Sequence, residues 1–242
     1  DVHERAEDLD LLLQSVELKE LDMMFYTGDI LNWIGEEERI FNGFLDVSVQ
    51  HFASRKPFVF VRGNHETRGP NARKLMSYFP HSSGKSYYCF NQGNVHFILL
   101  DSGEDKPDSH PVYAGLVDFD AYRSEQAEWL KKVVESDAFK NSMYKVVINH
   151  IPLFSGSDGH GAKDITKKWG PVLNEAGIDL MLSGHHHRFA IVQANERENR
   201  FPIVILGKDM FLRAEVTTDQ LSIKVTGIDG SVVENIQINP KK

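Results

Sequence analysis

Cysteine, long apolar runs and an excess of positive charge are scarce or missing in this sequence. The 242 residues contain one cysteine, Cys89, so they cannot form a disulfide with one another, and we expect Cys89 to be a small buried residue of a strand. No run of about 18 apolar residues occurs, which argues against membrane insertion. Lys and Arg number 27 against 35 Asp and Glu, whereas a nucleic-acid-binding surface normally has a positive excess. We therefore expect no nucleic-acid partner.

Four short apolar runs each end in a polar motif. The runs are uninterrupted by polar alternation, which is typical of buried strands covered on both faces. They occupy residues 23–27, 58–61, 145–148 and 180–183. The motifs that follow are Gly28-Asp29, Gly63-Asn64-His65-Glu66, Asn149-His150 and Gly184-His185-His186-His187. Because loops after the strands of layered α/β folds converge on one rim, the motifs are predicted to meet.

The donor atoms of these motifs point to a metal site. Together with Asp1-Val2-His3, the motifs supply two aspartate carboxylates, an asparagine amide oxygen and several imidazoles as possible ligands. Such a set suits first-row divalent or trivalent ions rather than calcium or a thiolate site, and it is large enough for two ions. Gly28, Gly63 and Gly184 have no Cβ, so they would let the chain turn and approach an ion closely.

The order D-x-H, G-D, G-N-H-E, a lone His and G-H-x-H resembles the calcineurin-like metallophosphoesterase superfamily, and it runs from Asp1 to His187. The resemblance implies an α/β fold, a four-layer α/β/β/α sandwich of two mixed sheets. We expect residues 1–242 to be a single catalytic domain. Because D-x-H should end a strand in this fold, we also expect the first strand and any upstream domain to precede residue 1.

The resemblance implies two metal ions, with manganese, iron or zinc as candidates. One ion would be held by Asp1, His3, Asp29 and His187. The other would be held by Asp29, Asn64, His150 and His185. Asp29 would then bridge the two ions. Two divalent ions outweigh the two carboxylates, so the cluster would attract a small phosphorylated substrate.

The implied reaction is phosphoester hydrolysis by in-line attack of a metal-bound hydroxide. His65 is predicted to assist from the substrate side, by donating a proton to the leaving group or by stabilising a phosphoryl oxygen. Glu66 has two open interpretations, a carboxylate that orients a metal ligand or an ordinary carboxylate of a first helical turn.

Further substrate contacts are predicted for Asn64, His65, His160 and Arg68. His160 lies in a polar segment, residues 155–161, that we expect to be a flexible loop, and an ordinary loop role is the alternative. A guanidinium at Arg68 or Arg62 could clamp phosphate oxygens, with a solvated surface position as the alternative. His186 is expected to serve packing or face solvent. The remaining histidines are expected on helix, turn or strand surfaces: His51, His81, His96 and His110.

Residues 86–102 form a predicted hairpin that is similar to purple acid phosphatases and their bacterial relatives. One position departs from that branch, since Asn32 stands where the family has a tyrosine three residues after the aspartate of G-D. We therefore expect a colourless enzyme. The resemblance also favours a periplasmic or secreted protein, with a cytoplasmic one as the alternative. No pattern indicates an oligomeric state.

Three functions remain open. The first is a phosphomonoesterase, favoured by residues 86–102. The second is a phosphodiesterase acting on cyclic nucleotides or glycerophosphodiesters. The third is a scaffold that kept the fold and lost the chemistry, against which the complete ligand set argues.

The remaining pattern predicts helices and strands around this rim. Helices are expected over residues 33–54, 71–78 and 124–139, the last capped by Ser124. Later strands are expected over residues 191–194, 202–206, 221–226 and 232–238. Residues 207–210 are expected to close the rim, and residues 104–120 and 154–169 to form specificity loops.

Overall fold

The structure, a computed structural model, describes residues 1–195 and 197–241 and has a mixed α/β architecture. The helices are α1 (Ala6–Ser15), α2 (Glu38–Ile40), α3 (Asp46–Ser48), α4 (Ala72–Leu75), α5 (Phe119–Val133), α6 (Asp137–Lys140) and α7 (His160–Glu175). The first strands are β1 (Met24–Tyr26), β2 (Phe58–Phe60), β3 (Tyr88–Gln92), β4 (Val95–Leu99), β5 (Tyr144–Ile148) and β6 (Leu180–Ser183). The last are β7 (Ala190–Val192), β8 (Ile203–Ile205), β9 (Met210–Val216), β10 (Leu221–Gly227) and β11 (Val232–Ile238).

Three groups of strands occur within the described residues. A six-stranded sheet has the order β3-β4-β5-β6-β8-β7, with β4, β5, β6 and β8 parallel and an antiparallel strand at each edge. Strands β1 and β2 form a parallel pair. Strands β9, β10 and β11 form an antiparallel sheet. The strands outside the large sheet thus divide into two groups.

Apolar clusters cover both faces of the six-stranded sheet. One face packs through Val147 against α5 and α7, which contribute Leu130 and Trp169. The other face packs through Ile148 against the β1–β2 pair and the β9–β11 sheet, which contribute Val59 and Ile223. Burial on both faces explains why these strands have no polar alternation. The predicted mixed α/β fold is confirmed.

A third cluster covers the far side of the β1–β2 pair. Phe60 of β2 packs there with Leu9 of α1 and with Phe44. Phe44 lies in the helical segment 38–53, where α2 and α3 alternate with π-helical turns over Phe41–Leu45 and Val49–Ala53. Helices therefore flank the strands on both sides.

The predicted elements agree with the structure at their centres and less well at their ends. The four apolar runs became β1, β2, β5 and β6, and the 86–102 hairpin became β3 and β4. The predicted helix over residues 33–54 begins later, at Glu38. None of the described helices is long and apolar enough to cross a membrane.

Several predictions were wrong. Ser124 does not cap a helix, because α5 begins at Phe119 and the Ser124 hydroxyl donates to the Asp120 carbonyl inside it. The helix predicted to reach residue 139 is divided, and Ser136 caps the short α6. Residues from His160 onward form α7 rather than a loop. Strand β9 was not predicted.

His96 is also placed differently from its prediction. It lies on β4 with 2% of its surface exposed, and its Nδ1 is 2.6 Å from Asn91 Oδ1. The other predicted surface histidines do meet polar partners: His51 contacts Asp10, His81 contacts Ser83, and His110 accepts from Val112 N.

Candidate metal centre

The polar motifs lie at the carboxyl ends of four strands, as the sequence predicts. Asp29 follows β1, the 63–66 loop follows β2, His150 follows β5 and the 184–187 loop follows β6. Backbone bonds tie these loops together. The amides of Val2 and His3 both donate to the Asp29 carbonyl, at 2.8 and 3.0 Å. Strands from two different sheets therefore build one rim.

Two groups of donor atoms meet at this rim and share one residue. In the first group, Asp1, His3, Asp29 and His187 each place a ligand atom within 4.8 Å of the others. In the second group, Asp29, His150 and His185 do the same. Asn64 joins the second group, because its Oδ1 lies 3.1 Å from His150 Nε2 and 3.0 Å from His185 Nδ1. Asp29 belongs to both groups, so its carboxylate can bridge two ions.

The polar atoms of the rim fit metal ions. Asp1 Oδ1 is buried and has no hydrogen-bond partner among the described residues, while Asp1 Oδ2 accepts from His185 N at 2.9 Å. His3 Nε2 and His187 Nε2 face each other at 2.9 Å. A buried carboxylate oxygen without a donor is costly unless a cation binds it. The set of carboxylate, amide and imidazole donors suits manganese, iron or zinc, between which it does not choose.

Two of the imidazoles, His3 and His185, have protonation states that suit metal binding. Burial and neighbouring imidazoles, opposed by the Asp29 charge, lower the pKa of His3 to about 4 and that of His185 to about 3. His150 differs: burial disfavours its charged form, but the Asp29 carboxylate at 3.0 Å outweighs this and raises its pKa. The same pair lowers the pKa of Asp29 despite its burial. Neutral imidazoles and ionised carboxylates are the forms that bind metal.

Backbone strain is concentrated at the ligands. Positive φ angles occur at His3 (54°), Asp29 (52°), His185 (72°) and His187 (55°), a region that side chains with a Cβ rarely adopt. Such strain is typical of functional sites. Gly63 allows a close approach, because a Cβ there would lie 2.2 Å from Asp29 Oδ1. The loops are thus shaped around the Asp29 carboxylate.

Glu66 holds the backbone of these loops in place through hydrogen bonds. Its carboxylate is fully buried and accepts hydrogen bonds from the amides of Asp29, Leu31 and Gly63 at 2.8 to 2.9 Å. Burial and the neighbouring Asp29 charge raise its pKa to about 7. Of the two interpretations left open, these contacts favour the carboxylate that orients a ligand, since Glu66 fixes the backbone of Asp29.

His65 lies beside the two groups without joining either. Its amide donates to Asp29 Oδ1 at 2.9 Å, and its ring centre is 4.5 Å from that of His3. The Nε2 atom is 4.0 Å from Asp29 Oδ2. His65 can therefore reach a group bound at the rim. His186 has its ring 5.8 Å from that of His185 and is likewise absent from both ligand groups.

The two arginines near this loop form ion pairs. Arg68 binds the buried Glu104 and places Nη1 3.0 to 3.1 Å from the ring nitrogens of His65, so it faces the rim rather than solvent. Arg62 Nη2 lies 2.7 Å from Oδ2 of the buried Asp101, so the Arg62 guanidinium forms an ion pair with that carboxylate. The phosphate clamp considered for Arg62 stays a prediction. Sequence reasoning did not assign Glu104 a role, although it too follows an apolar strand, β4.

His160 contacts a different part of the molecule. It is the first residue of α7, and its Nε2 lies 2.7 Å from Asp120 Oδ1. With Asp120 and Asp164 it forms a further group of potential ligands within 4.8 Å. The structure does not bring His160 into either ligand group of the rim.

The chain is similar in sequence to phosphatases of two kinds. Purple acid phosphatase 18 from Arabidopsis thaliana is 27% identical over 154 residues, which cover 58% of this chain and 32% of that protein. Serine/threonine-protein phosphatase CPPED1 from Bos taurus is 29% identical over 140 residues, which cover 55% of this chain and 42% of that protein. The chain thus matches less than half of the length of either relative.

Two solved structures share the fold at 16% sequence identity. One is GAP50, described as the anchor in the inner membrane complex of Plasmodium, with a TM-score of 0.71 over 100% of this chain and 86% of that chain. The other is purple acid phosphatase PPD1 from yellow lupin (Lupinus luteus), with a TM-score of 0.65 over 98% of this chain and 49% of that one. The family model described as Calcineurin-like phosphoesterase matches residues 1–189, and the chain belongs to that family.

Proposed function

We propose that this chain is a dinuclear metal-dependent phosphoester hydrolase that acts on small phosphomonoesters. The observation that supports this most directly is the position of Asp29, which belongs to two groups of ligand atoms at one rim. When bound, a pair of ions would acidify a water molecule and stabilise charge on the attacking and leaving oxygens.

The chain's own residues would bind and orient the ester. Asp1 and Asp29 are the only carboxylates in the two ligand groups, so a pair of divalent ions would leave the rim positive and favourable for an anion. His65 would meet the phosphoryl or leaving-group oxygen, because its ring lies beside that of His3 and outside both ligand groups. Glu66 would keep Asp29 in place through their hydrogen bond.

The monoester is proposed over the diester because residues 86–102 are similar to purple acid phosphatases and because phosphatases are among the relatives. The same branch supports a periplasmic or secreted setting. A phosphodiesterase is the second candidate, since it would use the same ligand groups. A scaffold without activity is disfavoured, because all of the predicted metal-binding residues and His65 lie at the rim.

The test compares p-nitrophenyl phosphate with bis-p-nitrophenyl phosphate, using protein loaded in turn with manganese, zinc and iron. Metal-dependent turnover that favours the monoester is expected, and a preference for the diester would replace the monoester proposal. No turnover of either ester by protein that holds two ions would contradict the hydrolase.

Replacing His65 tests its role within the same assay. His65→Ala should lower turnover by roughly 10²-fold, the usual cost of losing a positioned acid–base or charge-stabilising group. Two bound ions should remain, because His65 is not in either ligand group. Unchanged turnover would remove His65 from the mechanism.

The iron-loaded protein offers a test by absorption spectroscopy. Asn32 occupies the family's tyrosine position, and its carbonyl lies 3.3 Å from His65 Nδ1. With no tyrosinate there, we expect no intense visible band. A purple sample would contradict this expectation.

A further inference from the structure

Two arginine–carboxylate pairs flank the 63–66 loop, and they differ in whether the arginine also contacts His65. Arg62 pairs with Asp101 and Arg68 pairs with Glu104. Both carboxylates follow β4 and are almost fully buried. Within the described residues, only Arg68 of the two arginines lies within hydrogen-bond distance of His65.

Glu104 fixes the Arg68 guanidinium through two bonds. Arg68 Nε donates to Oε1 at 2.6 Å and Nη2 donates to Oε2 at 2.9 Å. Thr67 Oγ1, which lies 2.7 Å from the Asn64 carbonyl, is also 3.2 Å from Oε1. Such a bidentate pair sets the direction of the guanidinium as well as its distance.

The backbone of Glu104 is held in turn. The buried Arg123 donates through Nη2 to the Glu104 carbonyl, and Gly161 N of α7 donates to the Asp105 carbonyl at 2.8 Å. Helices α5 and α7 therefore keep Glu104 in place. Little freedom is left for the Arg68 side chain.

One nitrogen of Arg68 remains outside the Glu104 pair. Nη1 lies 3.1 Å from His65 Nδ1 and 3.0 Å from His65 Nε2. We propose that Glu104 is a positioning residue that aims Arg68 Nη1 at a phosphoryl oxygen bound beside His65, and that this contact selects dianionic monoesters over diesters. This inference rests on the proposed function and names its specificity determinant.

The charge of the substrate explains the selection. A phosphomonoester has two negative charges near neutral pH and a diester has one, so a fixed guanidinium gains more from the monoester. A second carboxylate, Asp105, has Oδ1 4.0 Å from Arg68 Nη2 and 2.9 Å from Lys106 Nζ. Lys106 offsets its repulsion of an anion.

The test uses Glu104→Gln, which keeps the shape and removes the charge, with Asp101→Asn as the matched control in the neighbouring pair. Manganese-loaded full chain is titrated with inorganic phosphate by calorimetry, and kcat and KM are measured for both p-nitrophenyl esters. Metal content and thermal unfolding are recorded for each variant, so that loss of the fold is detected.

Glu104→Gln should weaken phosphate binding and raise the monoester KM roughly 10- to 100-fold, the scale of a charged hydrogen bond, while the diester KM changes less than about threefold. Asp101→Asn should change the phosphate affinity, the monoester KM and the diester KM by less than about threefold. In an Arg68→Gln background, Glu104→Gln should have no further effect, because it acts through Arg68.

Equal effects of Glu104→Gln and Asp101→Asn, or equal losses for both esters, would overturn the inference. So would an undiminished effect of Glu104→Gln in the Arg68→Gln background. If wild-type protein hydrolyses neither ester, the proposed function fails separately, while phosphate binding still decides whether Glu104 and Arg68 form an anion site.

Discussion

Two clusters of carboxylates and histidines in this molecule have similar spacing and different surroundings. At the rim, Asp1 and Asp29 contact imidazoles and backbone amides, and within residues 1–195 and 197–241 no Lys or Arg forms an ion pair with either. In the second cluster, Asp120 and Asp164 also lie with a histidine, His160, within 4.8 Å.

Built-in cations distinguish the second cluster. Arg123 Nη1 lies 2.8 Å from Asp120 Oδ1, and Lys168 Nζ lies 2.7 Å from Asp164 Oδ2. The charges there are already compensated, whereas the rim has one buried carboxylate oxygen without a donor. Spacing alone therefore does not identify a metal site. The absence of a lysine or arginine partner for Asp1 and Asp29 among the described residues favours the rim as the metal site, because a buried carboxylate is costly without a compensating charge.

The largest effect is expected on metal content, when one carboxylate in each cluster is replaced in turn. Asp29→Asn should lose both ions and lower hydrolysis by at least roughly 10²-fold, because a neutral amide cannot replace the shared carboxylate. Asp164→Asn should keep two ions per chain, since that carboxylate serves Arg123 and Lys168. Elemental analysis of both variants checks this, and equal metal loss would break the distinction.

The shape of the rim gives the next effect. Gly63→Ala should lower metal affinity roughly 10- to 100-fold, because the new methyl group would lie 2.2 Å from Asp29 Oδ1. Gly159→Ala, beside the second cluster, meets its nearest atom at 3.4 Å and should change affinity less than twofold. Competition with a chelating indicator measures both. Equal affinities would mean that the loop adjusts freely.

Acidification of the metal-free protein gives a smaller effect. His3 and His185 have folded pKa values of about 4 and 3, below 6.5, because burial opposes their charged forms. Between about pH 6.5 and 4 these two histidines therefore bind more protons in the unfolded chain, and their contribution to the free energy of unfolding falls as the pH falls.

His185→Asn isolates the contribution of one imidazole. The loss of unfolding free energy between pH 7 and 5 should be about 2 kcal/mol smaller in the variant than in the wild type. Denaturant unfolding of both metal-free proteins at the two pH values measures the difference. Identical losses would mean that His185 titrates normally in the folded protein.

The smallest effect is expected in the second cluster. His160→Ala removes a half-exposed contact to Asp120 and should lower activity less than tenfold, with a stability change of about 1 kcal/mol or less. Kinetics and thermal unfolding check it. A loss as large as that of His65→Ala would place His160 at the substrate after all.

The meeting of the motifs at one rim was predictable because strand ends converge whatever surrounds them, whereas the division of the residues into two ligand groups came from the resemblance to the family. Each of β1, β2, β5 and β6 was visible as an apolar run, and the chain order fixed which polar residue came next. Charge pairing was harder to predict. The local sequence does not show that Arg62 pairs with Asp101 or that Arg68 pairs with Glu104. These partners are 36 or more residues apart in the sequence, and only the fold brings them together.

Local signals also misled where the fold overrode them. Ser124 is a residue type that often caps a helix, yet α5 begins five residues earlier, at Phe119. There the helix packs against α7, and Arg123 Nε donates to the Ser102 carbonyl. Helix α7 was concealed by Gly159, Gly161 and Pro171, although Ile165 and Trp169 have helical spacing. His96 is buried because both faces of the six-stranded sheet are covered, so alternation along β4 does not indicate exposure.

The most direct test of the shared carboxylate is a manganese titration of metal-free protein followed by electron paramagnetic resonance. Two ions per chain with a coupled spectrum are predicted, because one bridging carboxylate would hold them roughly 3.5–4 Å apart. Saturation at one ion per chain, or two ions with uncoupled spectra, would contradict the central role of Asp29.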